Sequence, residues 1–393
     1  MTRRPATTAK AGAPRIALAL AGGGPLGAIY EIGALCALEE ALEGVDFTRL
    51  QHYVGVSAGA FIAAGLANGV GPREMCASFI ENTGSATDVF DPAWLTIPAY
   101  GEFLRRARRL PALTLQALWL VTWGGKPLRY ALEGLAPVLP TGLFDSDEVH
   151  RRLQEIFSQP GRSNDFRRLG GHLTLVATEL DTGKAVRLGG PGWDHVPISR
   201  AVQASCALPG LFPPVRIDGR DFVDGALQKT MHASVALDQG ADLLLCVNPL
   251  VPFDIPRIAD GGLAAVLSQT FRTIIHSRLE VGMKQYARDY PGADIVLLAP
   301  DPADTEMFLA NTFSYGQRRH LAEHAYQLTR QWLRGSQERL VPVFARHGIR
   351  LRTEALRDDG RMLVAPARPR RLATALARLR SALDDLEAAL PAA

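Results

Sequence analysis

Short apolar runs alternate with stretches of helical spacing over the first part of the chain. Residues 15–20 (RIALAL) form an apolar run that ends in glycines, and residues 26–42 then place apolar side chains three and four positions apart. Residues 52–56 form the next strand-like run. A helix is predicted over 58–68, because an Asn-Gly pair typical of helix ends closes it. The pattern therefore predicts strand, loop and helix, twice in succession.

The same alternation resumes in the second half of the chain. A hairpin is predicted over 215–223, because an Asp-Gly pair at its centre favours a tight turn. Apolar residues at helical spacing predict a packed amphipathic helix over 263–286, and residues 314–340 show a weaker form of this pattern. Strands that alternate with helices favour the α/β class, here a three-layer α/β/α fold with a mainly parallel central sheet. Further strands are predicted at residues 173–178, 243–247 and 295–298.

The domain organisation follows from where this pattern stops. Residues 1–14 are predicted to be a disordered tail, and residues 15–345 the main domain, with a proline-rich helical insertion at about 90–141. Residues 346–393 are predicted to be a C-terminal extension that ends in an amphipathic helix. That helix suits a helical partner, so it is a candidate surface for homodimerisation or docking, and the alternative is a simple cap on the body. Its leucines are alternately four and three positions apart: Leu372, Leu376, Leu379, Leu383, Leu386 and Leu390.

The composition is that of an ordinary folded protein. An apolar fraction of 47% over 393 residues is ample for a buried core. The net charge of +3, with no nucleic-acid-binding motif, argues against nucleic acid as a partner. The 4 cysteines are far apart and lack metal-ligand spacing, so neither a disulfide framework nor a metal site is predicted, and no cofactor.

The expected location is the cytoplasm, with peripheral contact to the inner membrane or another lipid surface. There is no apolar run of about 18 residues, the length of a membrane span, and no signal-peptide run near Met1. Residues 104–123 suggest the peripheral contact, because arginines precede an apolar run that contains Trp119 and Trp123. The alternative is a lid or core helix packed against the body.

Residues Gly55-Val56-Ser57-Ala58-Gly59 form a GXSXG motif between a predicted strand and a predicted helix. A serine on such a turn is exposed, and the amides at the helix start face developing negative charge. Gly55 and Gly59 suit the turn, because larger side chains would collide with the neighbouring strand and helix. Ser57 is therefore the predicted nucleophile. Only one strand and one helix precede it, which argues against an α/β-hydrolase fold.

The glycine-rich loop Gly22-Gly23-Gly24-Pro25-Leu26-Gly27 also follows a strand and opens a helix. Its amides are predicted to form an oxyanion hole, aided by the amide of Ala58. The loop also fits the dinucleotide fingerprint, which needs a second strand ending in an acid about 20 residues later. The predicted helix leaves no room for that strand, so a nucleotide site is not favoured.

These two motifs, followed by Asp224-Gly225-Ala226, resemble the patatin-like phospholipase family. The approach to Asp224 (ASCALPGLFPP, then DGRDFVDG) is similar to the family throughout, and the resemblance covers roughly residues 15–250 without the insertion. It implies a lipid acyl hydrolase with a Ser57/Asp224 dyad and no histidine. The predicted oxyanion hole of this hydrolase comprises the amides of Gly22, Gly23, Gly24, Gly27 and Ala58.

Alternatives to this hypothesis stay open. His232 lies near Asp224 in sequence and would make a triad, although a dyad is favoured. The family often has a basic residue where this chain has Leu26, so a phospholipid is less secure as substrate than hydrolysis itself. Hydrolysis of other hydrophobic esters, such as lysolipids, neutral lipids or storage polyesters, and a non-catalytic lipid- or membrane-binding module are the alternative functions.

Overall fold

The computed structural model describes residues 14–83, 92–108, 110–123, 138–254, 256–304, 306 and 315–364. The predicted tail and the C-terminal leucine pattern lie outside these residues. Ten strands are found in the described part of the chain. They are β1 (Ile16–Leu20), β2 (Leu42–Glu43), β3 (His52–Val56), β4 (His172–Glu179), β5 (Ala185–Leu188), β6 (Val215–Ile217), β7 (Arg220–Asp224), β8 (Leu243–Val247), β9 (Asp294–Leu298) and β10 (Arg350–Leu351).

Twelve α-helices accompany these strands within the same residues. They are α1 (Gly24–Ala41), α2 (Ala58–Ala67), α3 (Pro72–Met75), α4 (Tyr100–Ala107), α5 (Leu110–Thr122), α6 (Asp147–Phe157), α7 (Ile198–Ser205), α8 (Ser234–Asp238), α9 (Gly262–Asp289), α10 (Tyr315–Gly335), α11 (Gln337–Arg346) and α12 (Thr353–Leu356). No helix among the described residues is both long and apolar enough to cross a bilayer.

The central sheet is mainly parallel, as predicted. Its strands lie in the order β6-β7-β4-β3-β1-β8-β9, with β5 on β4 as a side branch. Strands β4, β3, β1, β8 and β9 are mutually parallel, whereas β5, β6 and β7 pair antiparallel. The two-residue strand β2 pairs with β10 instead of joining this sheet. The strand that follows α1 in this sheet is β3, which pairs parallel with β1 and is followed by Ser57 rather than by the acid of the dinucleotide fingerprint.

Helices cover both faces of the sheet, which confirms the three-layer class. Leu18 and Leu20 of β1 point into a large cluster with α1, α2 and α10, whereas Ala17 and Ala19 point into a second cluster with α8 and α9. Successive side chains of a strand face opposite sides of its sheet, so a strand buried on both faces is apolar throughout. All five residues of β1 are buried.

The helix α9 departs from its predicted packing. The sequence pattern predicts that its apolar side chains face the core, yet only Ile275 of that set is buried and Leu279 partly so. Periodicity identifies an apolar stripe but does not show whether a neighbour covers it. The remaining members of the set are exposed: Leu263, Val266, Leu267, Phe271 and Ile274.

Candidate active site

Ser57 occupies the sharp turn between β3 and α2. Its φ of 53° and ψ of −122° lie in a region that side-chain-bearing residues rarely adopt. The turn is held by the segment at the end of α7: the Ser57 amide donates to Ser205 Oγ at 2.9 Å, and Cys206 Sγ donates to the Ser57 carbonyl at 3.1 Å. Ser205 Oγ in turn donates to the Val176 carbonyl at 2.6 Å. The strained backbone of Ser57 is thus fixed from β4 and α7.

The glycines on either side of Ser57 permit a close approach of α2 to β1. A Cβ on Gly59 would lie 2.5 Å from the carbonyl carbon and oxygen of Leu20, closer than real Cβ contacts. The Gly59 amide also donates to the Ala21 carbonyl at 3.1 Å. A Cβ on Gly55 would lie 2.6 Å from the Cα of Ala60. The motif glycines therefore join the turn to the strand that carries the glycine-rich loop.

Asp224 lies at the end of β7, is 2% exposed, and lines the same cavity as Ser57. The Ala226 amide donates to its Oδ1 at 2.8 Å. Burial raises the pKa of Asp224 from 3.8 to about 6, although the nearby side chain of Ser57 and the amide of Ala226 both favour the ionised form. A carboxylate with a raised pKa is a stronger base, and at neutral pH it is still mostly ionised.

Strand β4 aligns the two side chains. Strand β5 occupies one edge of β4, so β3 and β7 both pair with the other edge. On that edge Val56 lies opposite Val176, and Asp224 lies opposite Ala177, the next residue along β4. The strands β3 and β7 run in opposite directions and meet end to end beside β4. This meeting places Ser57, which directly follows Val56, next to Asp224.

The glycine-rich loop passes close to Ser57. A Cβ on Gly22 would lie 3.1 Å from the Cβ of Ser57, and Gly24 has a φ of +59° at the start of α1. The amides of Gly22, Gly23, Gly24 and Ala58 have no acceptor within the part of the chain that the structure describes. These amides are the donors that an oxyanion requires.

Gly27 needs a correction, because its amide donates to the Gly23 carbonyl at 3.0 Å inside the first turn of α1. It therefore does not serve as an oxyanion donor. Its contribution is to packing: a Cβ on Gly27 would lie 3.0 Å from Cγ of Pro249, and one on Gly23 would lie 2.8 Å from the same atom. The glycine-rich loop thus packs on Pro249, two residues after the end of β8.

His232 does not reach the predicted nucleophile by any described contact. Burial lowers the pKa of His232 to about 4, although the neighbouring Gly225 backbone favours the charged ring. Its Nε2 has no partner among the described residues. Asp218 and Asp221, the other acids near Asp224, lie on the β6–β7 hairpin and pair with His195 and Arg216. The acid brought to Ser57 is Asp224.

An apolar cavity of about 460 Å³ opens onto these residues. Ligand pockets typically have volumes of about 300 to 1,000 Å³ and are mostly apolar with a few polar groups. Its polar lining includes Ser57 and Asp224, and Arg318 lies in its wall, where it donates to the Phe79 carbonyl at 3.0 Å. Its apolar lining includes Ile29, Ile32, Phe61, Phe79, Ile80, Leu95, Phe144, Val149, Val202, Leu208, Leu211 and Phe212.

Several residues of the site are not predicted by any motif in the sequence. Ser205 and Cys206 lie within the segment that precedes Asp224, but only their contacts with Ser57 give them a role. Pro249 follows a predicted strand, as ligand-facing loops of parallel sheets do. Outside the cavity lining, Glu31 of α1 is fully buried. Burial raises its pKa, which favours a neutral acid.

A family model for patatin-like phospholipases matches residues 18–237 of this chain. The chain belongs to the patatin-like phospholipase family. The matched range contains the glycine-rich loop, Ser57 and Asp224. At the level of the family, membership indicates a lipid acyl hydrolase. Leu26 of the glycine-rich loop lies in the first turn of α1 and packs, partly buried, against the core cluster.

The curated relatives are similar over part of their length. The protein YqhO of Bacillus subtilis is 27% identical over 195 residues, which cover 47% of this chain and 54% of the relative. An NTE family protein of Mycobacterium bovis, Mb1092c, is 33% identical over 75 residues, 19% of either chain. The aligned part thus spans about half of the first relative and about a fifth of the second.

Two solved structures are similar at low identity. The structure of VipD from Legionella pneumophila has 17% identity and a TM-score of 0.34, and the alignment covers 80% of this chain and 67% of that one. The structure of the type III effector protein ExoU has 19% identity and a TM-score of 0.35, with coverage of 80% and 52%.

Proposed function

We propose that this chain hydrolyses acyl esters of phospholipids or related lipids through an acyl-serine intermediate. The observation that carries the proposal is the juxtaposition of Ser57, on a strained turn, with the buried carboxylate of Asp224, both of which line one apolar cavity. A serine needs a base, an oxyanion site and a place for its substrate. Each of these has a counterpart within reach of Ser57.

The chemistry follows from this geometry. Ser57 Oγ attacks the ester carbonyl while its proton moves to the carboxylate of Asp224. The oxyanion accepts hydrogen bonds from amides among Gly22, Gly23, Gly24 and Ala58. Collapse of the tetrahedral intermediate releases the alcohol, which takes the proton back from Asp224. Water then repeats these steps on the acyl-serine, releases the fatty acid and restores both side chains.

The test compares Ser57→Ala and Asp224→Asn with the natural chain. Both variants are expected to lose ester hydrolysis while keeping their circular dichroism spectra, since neither removes packing volume of any size. Covalent labelling by a fluorophosphonate probe is expected to require Ser57. A folded natural chain that neither reacts with the probe nor releases fatty acid would indicate a lipid-binding module instead. Full activity in either variant would disprove the dyad.

The proposed contact with lipid surfaces involves α4 and α5. Leu104, Leu115, Trp119 and Trp123 are 60%, 69%, 60% and 84% exposed. Exposed tryptophans and leucines near arginines are typical of helices that lie in a membrane interface. Binding to anionic vesicles is expected to weaken with salt and with replacement of the arginines 105, 106, 108 and 109 by Gln. Unchanged binding after that replacement would leave α4 and α5 as a lid or packed helices.

A further inference from the structure

The cavity beside Ser57 has a cationic side chain in its wall. Arg318 lines the cavity and is 6% exposed, and the other charged side chain among the described lining residues is that of Asp224. Arg318 belongs to α10, which lies beyond the residues 18–237 matched by the family model. No motif in the sequence predicts a role for this arginine, and the proposed hydrolysis does not use it. Its place in a substrate cavity therefore needs a separate explanation.

The backbone of Phe79 fixes Arg318 in the cavity wall. Nη1 of Arg318 donates to the Phe79 carbonyl at 3.0 Å. This acceptor is neutral, so the bond holds the side chain in place without cancelling its charge. The guanidinium group of arginine is charged throughout the physiological pH range and carries five N–H donors in a planar fork. Such a fork can bind a carbonyl oxygen and an oxygen of a ligand at the same time.

The apolar walls of the cavity strengthen any ionic contact with Arg318. Phe61 and Phe79 both line the cavity, and their rings pack edge to face with centroids 4.9 Å apart. Walls of this kind exclude water, and the attraction between opposite charges grows as the effective dielectric constant falls. An anionic group on a bound ester is therefore attracted more strongly here than at the protein surface.

The helices α1 and α10 run side by side in the same direction. A Cβ on Gly33 of α1 would lie 2.5 Å from the carbonyl oxygen of Ala322 of α10. Further along α1, Glu40 contacts Tyr326 and Arg330, which lie further along α10. Positions that precede this contact on one helix are therefore level with positions that precede it on the other.

This alignment places Arg318 near the glycine-rich loop. Arg318 is one turn before Ala322, so it is level with Ile29, which is one turn before Gly33. Ile29 and Gly24 both line the cavity. At a rise of 1.5 Å per residue, they are separated by about 7.5 Å along the axis of α1. The cation is therefore close to the end of the cavity where the ester carbonyl is proposed to bind.

We propose that Arg318 determines specificity in this cavity by binding a phosphate on the alcohol side of the ester. The inference rests on the proposed acyl hydrolysis. In a glycerophospholipid the phosphate is only a few bonds from the ester carbonyl, so both groups fit between the glycine-rich loop and Arg318. Charge-assisted hydrogen bonds from a guanidinium to phosphate are about twice as strong as neutral ones. Residues 22–27 contain no cation, so α10 supplies the positive charge.

The test compares two esters that share one short acyl chain, a lysophosphatidylglycerol and a monoacylglycerol, both below their critical micelle concentrations. Monomeric substrates remove any effect of a lipid surface. Arg318→Gln removes the charge, and Arg318→Lys keeps the charge without the planar fork. The matched control is Arg319→Gln, because Arg319 bonds to Glu81 at 3.0 Å and is not among the described lining residues. Urea unfolding checks that each variant is folded.

Arg318→Gln is expected to lower the ratio of kcat/KM for the anionic ester over the neutral ester by about tenfold to a hundredfold, because a hydrogen bond to a charged group is lost. Arg318→Lys is expected to keep part of this preference and Arg319→Gln all of it. An unchanged ratio in folded Arg318→Gln would overturn the proposal. An equal loss for both esters would also overturn it, since Arg318 would then only support the cavity wall.

Two further measurements separate this proposal from the proposed function and from a different position of the anion. If the natural chain cleaves neither ester, calorimetric binding of the same two esters still tests Arg318, with the same expected change in the ratio of Kd values. A monoacylglycerol whose acyl chain ends in a carboxylate is the third ligand. Selective loss of that ester in Arg318→Gln would place Arg318 at the far end of the acyl chain and refute the phosphate assignment.

Discussion

Replacement of Asp224 by Asn separates the chemistry of the site from its effect on stability. Asp224 is 2% exposed, and its burial raises its pKa from 3.8 to about 6. The folded chain therefore binds this proton more tightly than the unfolded chain does, and the ionised form is penalised on folding. Asn does not ionise, and its amide oxygen still accepts a hydrogen bond from Ala226. The variant thus loses the proposed base, and it also loses the free-energy penalty of burying an ionised carboxylate.

The magnitude follows from the two pKa values. Since the folded pKa is raised, the contribution of Asp224 to stability is complete below pH 3.8 and is lost as the pH rises through about 6. At about 1.4 kcal/mol for each tenfold change, the loss amounts to about 3 kcal/mol. Asp224→Asn is expected to increase the free energy of unfolding by about 3 kcal/mol at pH 8 and by about half as much at pH 5.

Urea unfolding followed by tryptophan fluorescence at pH 5, 6.5 and 8 measures this difference. The matched control is Asp218→Asn on the exposed hairpin, which is expected to leave the pH dependence of stability unchanged. A stabilisation by Asp224→Asn that does not vary with pH would contradict the burial argument. A variant less stable than the natural chain at pH 8 would show that the carboxylate is stabilised, not penalised, in the folded state.

Further predictions concern the pH profile, the turn and the cavity. The value of kcat/KM is expected to fall about tenfold per pH unit below about 6, because Asp224 must be ionised, and His232→Asn should leave the midpoint in place. Gly59→Ala is expected to destabilise the fold by about 3 kcal/mol or more in urea unfolding, whereas Gly170→Ala, with open space around it, should be nearly neutral. Ile32→Trp is expected to fill part of the cavity, so release of long acyl chains should fall in assays of mixed esters while short esters are still cleaved.

Much of the fold was predictable because its elements have distinct periods. The strands β3 and β8 begin and end where the apolar runs do, and the hairpin turn at Asp218 follows the Asp-Gly signal. The short strand β5 and the helix α7 are not predicted. Strand β5 is short, and its apolar and polar residues alternate only weakly. Helix α7 is also short, and the elements that pack on its buried face come from distant segments of the chain.

The residues of the candidate site were likewise predictable only in part. A local signal marks Ser57, since the turn needs glycines at fixed positions, but no local signal shows that Asp224 is buried or that Ser205 holds the turn. Whether the amide of Gly27 is hydrogen-bonded inside α1 depends on where the first turn of α1 begins, and the sequence of the loop does not specify that position. The exposed apolar residues of α9 show the same limit, because the sequence of a helix does not show whether another element covers its apolar face.

The end-to-end meeting of β3 and β7 on one edge of β4 couples the lengths of two strands that are far apart in the chain. One residue added at the meeting point of either strand would shift Ser57 or Asp224 by about 3.3 Å and turn its side chain to the other face of the sheet. A compensating deletion in the opposite strand would be needed to restore the contact. During divergence of the family, these two strand ends are therefore expected to keep a fixed combined length, while insertions accumulate in the connections between them.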